Sequence, residues 1–111
     1  MAKSKNSTRV LQISNKQHFR LRYARSFIER LLGWRVRGQF DGVWLVPCSS
    51  IQTFSVKESF DVIWLDKNNN IVRLDFKVRP NRILGCLRAH SVIELPAGTL
   101  AALEQKVELF T

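Results

Sequence analysis

The chain has 111 residues, 45% of them hydrophobic, and carries a net charge of +9. That length fits one domain with one core, burying roughly two-thirds of the unfolded surface. A single domain is expected, no apolar run approaches the ~20 residues that span a bilayer, and two cysteines are too few for a disulfide scaffold.

The basic N-terminus leads into no hydrophobic segment of signal-peptide type. The protein is therefore expected to be soluble and cytoplasmic, with its cysteines kept as thiols and most simply placed in the core. Charge is distributed unevenly. Residues 1–38 hold ten basic side chains against the single acid Glu29, a net of +9, whereas residues 39–111 hold eight of each sign, a net of zero. A neutral body with a strongly basic N-terminal third points to an anionic partner, the plainer alternative being a solubilising surface. Met1 to Thr8 is polar and basic and is expected to be a disordered tail, leaving residues 9–111 as a single β-rich domain.

In chain order, Arg9–Ser14 and His18–Tyr23 alternate and predict two short strands joined at Asn15-Lys16-Gln17. Ala24, Phe27, Ile28, Leu31 and Leu32 then fall at helical spacing, opposite Arg25, Ser26, Glu29 and Arg30. They predict an amphipathic helix with its apolar side on the core, closed by Gly33 as a left-handed cap. Val43–Val46 is a short apolar run ended by Pro47, and residues 51–55 alternate. Asp61–Asp66 is almost continuously apolar and predicts a strand covered on both faces. Lys67-Asn68-Asn69-Asn70 predicts a tight turn. Ile71–Arg79 alternates, with Val72, Leu74, Phe76 and Val78 as its buried side. Leu87–Leu95 predicts another strand, Pro96–Gln105 a short helical turn and Val107–Phe110 a last strand. The fold class is α+β and mostly β: a small antiparallel barrel or sandwich with one N-terminal amphipathic helix.

Four segments in order carry a resemblance. They are Glu29-Arg30-Leu31-Leu32-Gly33-Trp34, Val46–Phe54, Phe60–Asp66 and Val92-Ile93-Glu94-Leu95-Pro96-Ala97-Gly98-Thr99. Over roughly residues 20–110 the chain resembles the domain-of-unknown-function family 192. The resemblance implies a compact, mostly β domain of bacterial or archaeal origin with an N-terminal helix, and it implies no activity. The chain departs from the family at Gln52, where a histidine is usual, and at Val56, Glu58 and Ser59, where methionine, a bulky apolar residue and proline are usual. The side chains best able to bind metal or move protons are missing from that segment.

No catalytic constellation emerges. Asp61 and Asp66 are five apart on one strand and point to opposite faces, so they cannot share an acid/base task; a strand-end acceptor and a turn residue are their simpler roles. Cys48, Cys86 and His90 are the side chains able to hold zinc or form a thiolate–imidazole pair, but no close ligand spacing supports either. Core cysteines and a surface histidine are the plainer reading. No phosphate loop, G-x-S-x-G or H-E-x-x-H occurs, and no cofactor or metal is expected. Nucleic-acid binding is the best specific expectation. Arg20, Arg22, Arg25, Arg35 and Arg37, with Lys77, Arg79, Arg82 and Arg88 as a second acid-free stretch, would line one face near Tyr23 and Trp34. Three of these residues crowd the start of the predicted helix, where free N–H groups favour an anion. The alternative is a protein-interaction module that recognises an acidic protein surface, with the basic third steering the encounter. An enzyme ranks third.

Overall fold

A computed structural model of the chain describes residues 8–13, 17–54, 56–101 and 107–110. Residues 1–7 of the expected tail lie outside them, whereas Thr8 already belongs to a strand. The described strands are β1 (Thr8–Ile13), β2 (Gln17–Ala24), β3 (Gly42–Leu45), β4 (Ser50–Gln52), β5 (Phe60–Leu65), β6 (Ile71–Val78), β7 (Ile83–Gly85), β8 (Ser91–Pro96) and β9 (Val107–Phe110). Helix α1 (Phe27–Leu32) and a 3-10 turn (Gly33–Val36) sit between β2 and β3. Seven strands form one sheet in the order β6-β5-β8-β3-β2-β1-β9, and β4 and β7 form a second, small one.

The class is mostly β with one short helix, and three details differ from expectation. The large sheet is mixed, because β2 and β3 run parallel with Tyr23 opposite Trp44. It is open rather than a closed barrel, with β6 and β9 as its edges. The helix is not N-terminal: it comes after the two strands read from residues 9–23, where it serves as the crossover that parallel neighbours need.

That helix also starts later than its apolar spacing suggests. Ser26 Oγ accepts the Glu29 N–H at 3.1 Å and the Glu29 carboxylate accepts the Ser26 N–H at 3.2 Å, a reciprocal cap that fixes the first turn at Phe27. Ala24 is left in β2 opposite Leu45. At the other end Gly33 adopts φ +54°, and its N–H bonds to the Glu29 carbonyl.

The core has two layers, one on each face of the sheet. Ala24, Val43, Leu45, Phe60, Val62, Trp64 and Val92 form the first, capped by Trp34, Ile51, Val56 and Val78. Leu11, Leu21, Trp44, Ile63, Leu65, Ile93, Leu95 and Leu100 form the second. β3 and β5 are buried at every position, which accounts for their unbroken apolar runs. Asp61, also buried, satisfies both its oxygens with the Lys77 and Leu100 N–H groups at 2.8 Å. It is the acceptor expected of it. Asp66 holds the following turn, accepting the Asn68 and Asn70 N–H groups at 2.9 Å. The Asn70 N–H above all holds its carboxyl below the usual range.

β6 departs most from its two-residue period. Register slips and a positive φ at Lys77 interrupt its pairing with β5, so only Val78 of the four expected core positions is buried. Arg73 and Asp75 instead lie over Trp64, whose indole N–H donates to Asp75 at 2.7 Å. β8 begins at Ser91 rather than Leu87, and Ile83–Gly85 forms a strand where no element was expected.

Candidate functional site

Between α1, the segment after β3 and the loop before β8 lies a cleft of about 470 Å³, within the range of small-ligand and peptide pockets. Phe27, Leu31, Pro47 and Ala89 supply its apolar lining, and Arg30, Ser49, Ser50 and His90 its polar lining, with Cys48 between them. Each wall is held by backbone bonds to the scaffold. The Cys48 N–H donates to the His90 carbonyl at 2.8 Å, the Cys86 N–H to Ser49 at 2.9 Å and the His90 N–H to Leu65 at 2.7 Å. Those bonds bring the 48–50 and 86–90 segments together, which the primary sequence left open. The helical wall is fixed through its C-terminal half. Arg30 donates to the Pro47 carbonyl at 3.0 Å, and Gln52 donates to the Leu31 carbonyl at 2.9 Å.

Helix α1 buries no residue. Phe27, Ile28 and Leu31 are 69%, 58% and 48% exposed, so the stripe expected on the core stays in solvent, with Phe27 and Leu31 lining the cleft. Its spacing is helical, but Trp34 occupies the place above the sheet. The Trp34 ring is buried, stacks on Phe60 at a centroid distance of 5.3 Å and donates to Glu58 at 2.7 Å. Phe54 is exposed beside Gln52, which holds the Phe54 N–H.

Beneath the corner where α1 meets the 3-10 turn, β8 presents Glu94 into the first core layer, opposite Val43 and Val62. It is fully buried and its Oε1 has no partner among the described residues. Burial pushes its carboxyl up to about 8, with a backbone N–H from Trp34 opposing part of that effect. A Cβ at Gly33 would approach Oε1 to 3.1 Å, so glycine there leaves room for the carboxyl. This buried acid was missed. Its only signal is a charged letter inside the apolar run Val92-Ile93-Glu94-Leu95.

The arrangement can hold a ligand but does little to activate a nucleophile. Burial raises the Cys48 thiol, and the Glu94 charge adds to that, which opposes the thiolate that cysteine chemistry needs. No group of three His, Cys, Asp or Glu side chains suited to a metal ion occurs among the described residues.

The predicted anion contacts are scattered. Arg20 donates to the Gln39 carbonyl and lies over Phe40. Arg22 pairs with Glu29 at 3.0 Å, and Arg37 pairs with Glu58 at 3.4 Å while stacking on Trp34. Arg25 and Arg35 are exposed, as are Lys77, Arg79 and Arg82, the last two around a turn pinned by Thr53. Three strands separate β2, with Arg20 and Arg22, from β6, with Lys77, a gap of about 19 Å at ordinary strand spacing. The expected aromatics are engaged internally. Tyr23 packs edge-on against Trp44 at 5.1 Å, with the Arg9 guanidinium over its ring. At the helix start, the Glu29 N–H is already taken by Ser26.

Comparison with known proteins follows the same lines. The model of domain-of-unknown-function family 192, Uncharacterized ACR, matches residues 9–108. The chain belongs to that family. No curated protein matches it. Among solved structures, a protein of unknown function from Novosphingobium aromaticivorans DSM 12444 superposes with a TM-score of 0.72 at 19% identity, covering 93% of this chain and 81% of that one. A candidate transcription regulator from Sinorhizobium meliloti 1021 superposes with a TM-score of 0.73 at 17% identity, covering 92% of each. At such identities the likeness concerns the family 192 fold alone. No described helix is long and apolar enough to cross a membrane.

Proposed function

We propose that this family 192 protein is a non-catalytic binding module whose cleft receives an acidic, apolar-bearing segment of a partner protein. The observation that carries this reading is the exposed stripe of Phe27, Ile28 and Leu31, two of which, Phe27 and Leu31, line the cleft. Apolar surface left in water beside a concavity marks interaction sites. An amphipathic helix spends such a stripe on a core or on a partner. The sign of the partner follows from charge: Arg25 and Arg30 flank the stripe in a chain of net +9, so an acidic segment is attracted and a basic one repelled.

A second reading, nucleic acid bound through Arg20, Arg22, Arg25, Arg35, Arg37, Lys77, Arg79 and Arg82, is favoured by one observation. The entire net charge of +9 resides in residues 1–38. The description of the Sinorhizobium neighbour leans the same way. The two readings separate by the forces they invoke. Phosphate contacts lose affinity steeply with salt, whereas an apolar anchor in a cleft keeps most of its affinity. Phe27→Asp with Leu31→Lys should abolish peptide binding and leave polyanion binding intact; Arg20, Arg22 and Arg25 changed to alanine should do the reverse. Loss of neither activity with the first pair would overturn the cleft reading.

A further inference from the structure

β6 is the outermost strand of the large sheet and, among the described strands, is paired only with β5. An unpaired edge offers a row of free backbone groups to another strand, and proteins usually guard it with bulges, charges or proline. Here the guard covers the two ends. Lys77 at φ +49° and the slip near Phe60 turn the strand aside at one, and Pro80 follows. A second slip separates Ile71 from Arg73 at the other, and between the slips Arg73, Leu74 and Asp75 keep register with Trp64, Ile63 and Val62. Ile71, Leu74 and Phe76 are 40%, 38% and 52% exposed. Across the ladder, Leu74 lies opposite Ile63 and Ile71 opposite Leu65, so these side chains extend the second core layer to the sheet's rim.

The order of residues along this edge indicates what covers it. In an antiparallel pair related by a two-fold axis through Leu74, Arg73 faces the partner's Asp75 and Asp75 faces the partner's Arg73. Leu74 meets the partner's Leu74. Opposite charges directly across a ladder stabilise it and like charges destabilise it. Both charges are already held at the edge: the Arg73 guanidinium bonds Asp75 at 2.9 Å and the Gly85 carbonyl at 2.9 Å. Their positions therefore need little ordering on association.

We propose that β6 is a self-association surface through which two copies of this chain join edge to edge about Leu74, making one continuous sheet of fourteen strands, seven from each copy. The strand order supports this geometry. β1 and β2, within the basic third, lie on the far side of the sheet from β6, and residues 39–111, which include β6, have no net charge. Pairing at β6 keeps the repelling charges apart, and α1 and its cleft lie outside the joint.

Sedimentation equilibrium of the full chain tests the proposal across the micromolar range. Wild type should approach 25.8 kDa, twice the 12.9 kDa chain. Arg73→Asp places like charges opposite each other twice in the joint, and so does Asp75→Arg; each should weaken association about tenfold or more. Mixed in equal amounts, the two variants should recover a heterodimer, because each charge again meets its opposite. Should either fail to keep the wild-type circular dichroism spectrum, Phe76→Lys, at an exposed position, decides by the same loss of dimer. A wild type that stays at 12.9 kDa throughout, single variants that dimerise unchanged, or a mixture that recovers nothing would each overturn the proposal.

Discussion

Replacing Glu94 by glutamine should change how stability depends on pH rather than simply lower it. The side chain is fully buried, and burial lifts its carboxyl from an ordinary 4.5 to about 8. A displacement of that size corresponds to about 5 kcal/mol of folding free energy. Its sign follows from proton counting. Below 4.5 both folded and unfolded chains hold the proton, so there is no penalty. Above it the unfolded chain releases the proton and the folded chain keeps it, so stability falls by about 1.4 kcal/mol per pH unit until about 8, then levels off. The neighbouring Cys48 thiol, itself raised by burial, stays protonated through that window. The amide introduced by Glu94→Gln keeps an acceptor for the Trp34 N–H and has no proton to lose. Urea unfolding of wild type and Glu94→Gln from about pH 5 to about pH 8 should give a difference that grows in favour of the variant by about 1.4 kcal/mol per unit. A difference that stays constant across the range would refute the reasoning.

Three further expectations follow from burial and contact. Phe27→Asp and Leu31→Lys remove exposed side chains and should shift unfolding free energy by no more than about 0.5 kcal/mol, whereas Leu45→Ala in the core should cost about 2–5 kcal/mol; urea titration distinguishes them. Gly42→Ala should destabilise by about 1–3 kcal/mol or more, because the new methyl would overlap the Glu94 carbonyl and stand 2.9 Å from Leu95. Ser91→Ala strands the buried Trp44 indole N–H, which now donates to Ser91 at 3.0 Å. It should cost about 1–3 kcal/mol, read as a lowered thermal midpoint.

What could be read from the sequence was whatever depended on local chemistry. β3 and β5 were legible because strands covered on both faces lose their alternation. The Asn-rich turn after Asp66 was legible because its asparagines suit left-handed backbone, and Asn69 adopts φ +64°. The family was legible from its segments. The errors arose where a pattern had two outcomes. The helical stripe of Phe27, Ile28 and Leu31 specifies a helix, but which surface covers it depends on Trp34 reaching Phe60, a contact distant in sequence. The capping box Ser26-Phe27-Ile28-Glu29 would have corrected the helix start, since it marks the first turn. β6 alternates well, yet its bulges rotate Arg73 and Asp75 over Trp64, which no two-residue period encodes. As for the site, the arginines were visible in the chain but their partners Glu29, Glu58 and Gln39 were not. The cleft was invisible because its walls come from three separated segments.

The most direct test of the central claim is a selection of random peptides displayed on phage against the folded protein, repeated on the variant carrying Phe27→Asp and Leu31→Lys. A cleft that receives an acidic, apolar-bearing segment predicts enriched peptides with a large apolar residue next to aspartate or glutamate. They should bind wild type, persist at raised salt and lose the variant. No enrichment, or peptides that bind both proteins equally, would contradict the account; if a random single-stranded oligonucleotide then bound with a steep salt slope, the basic N-terminal third would become the functional surface instead.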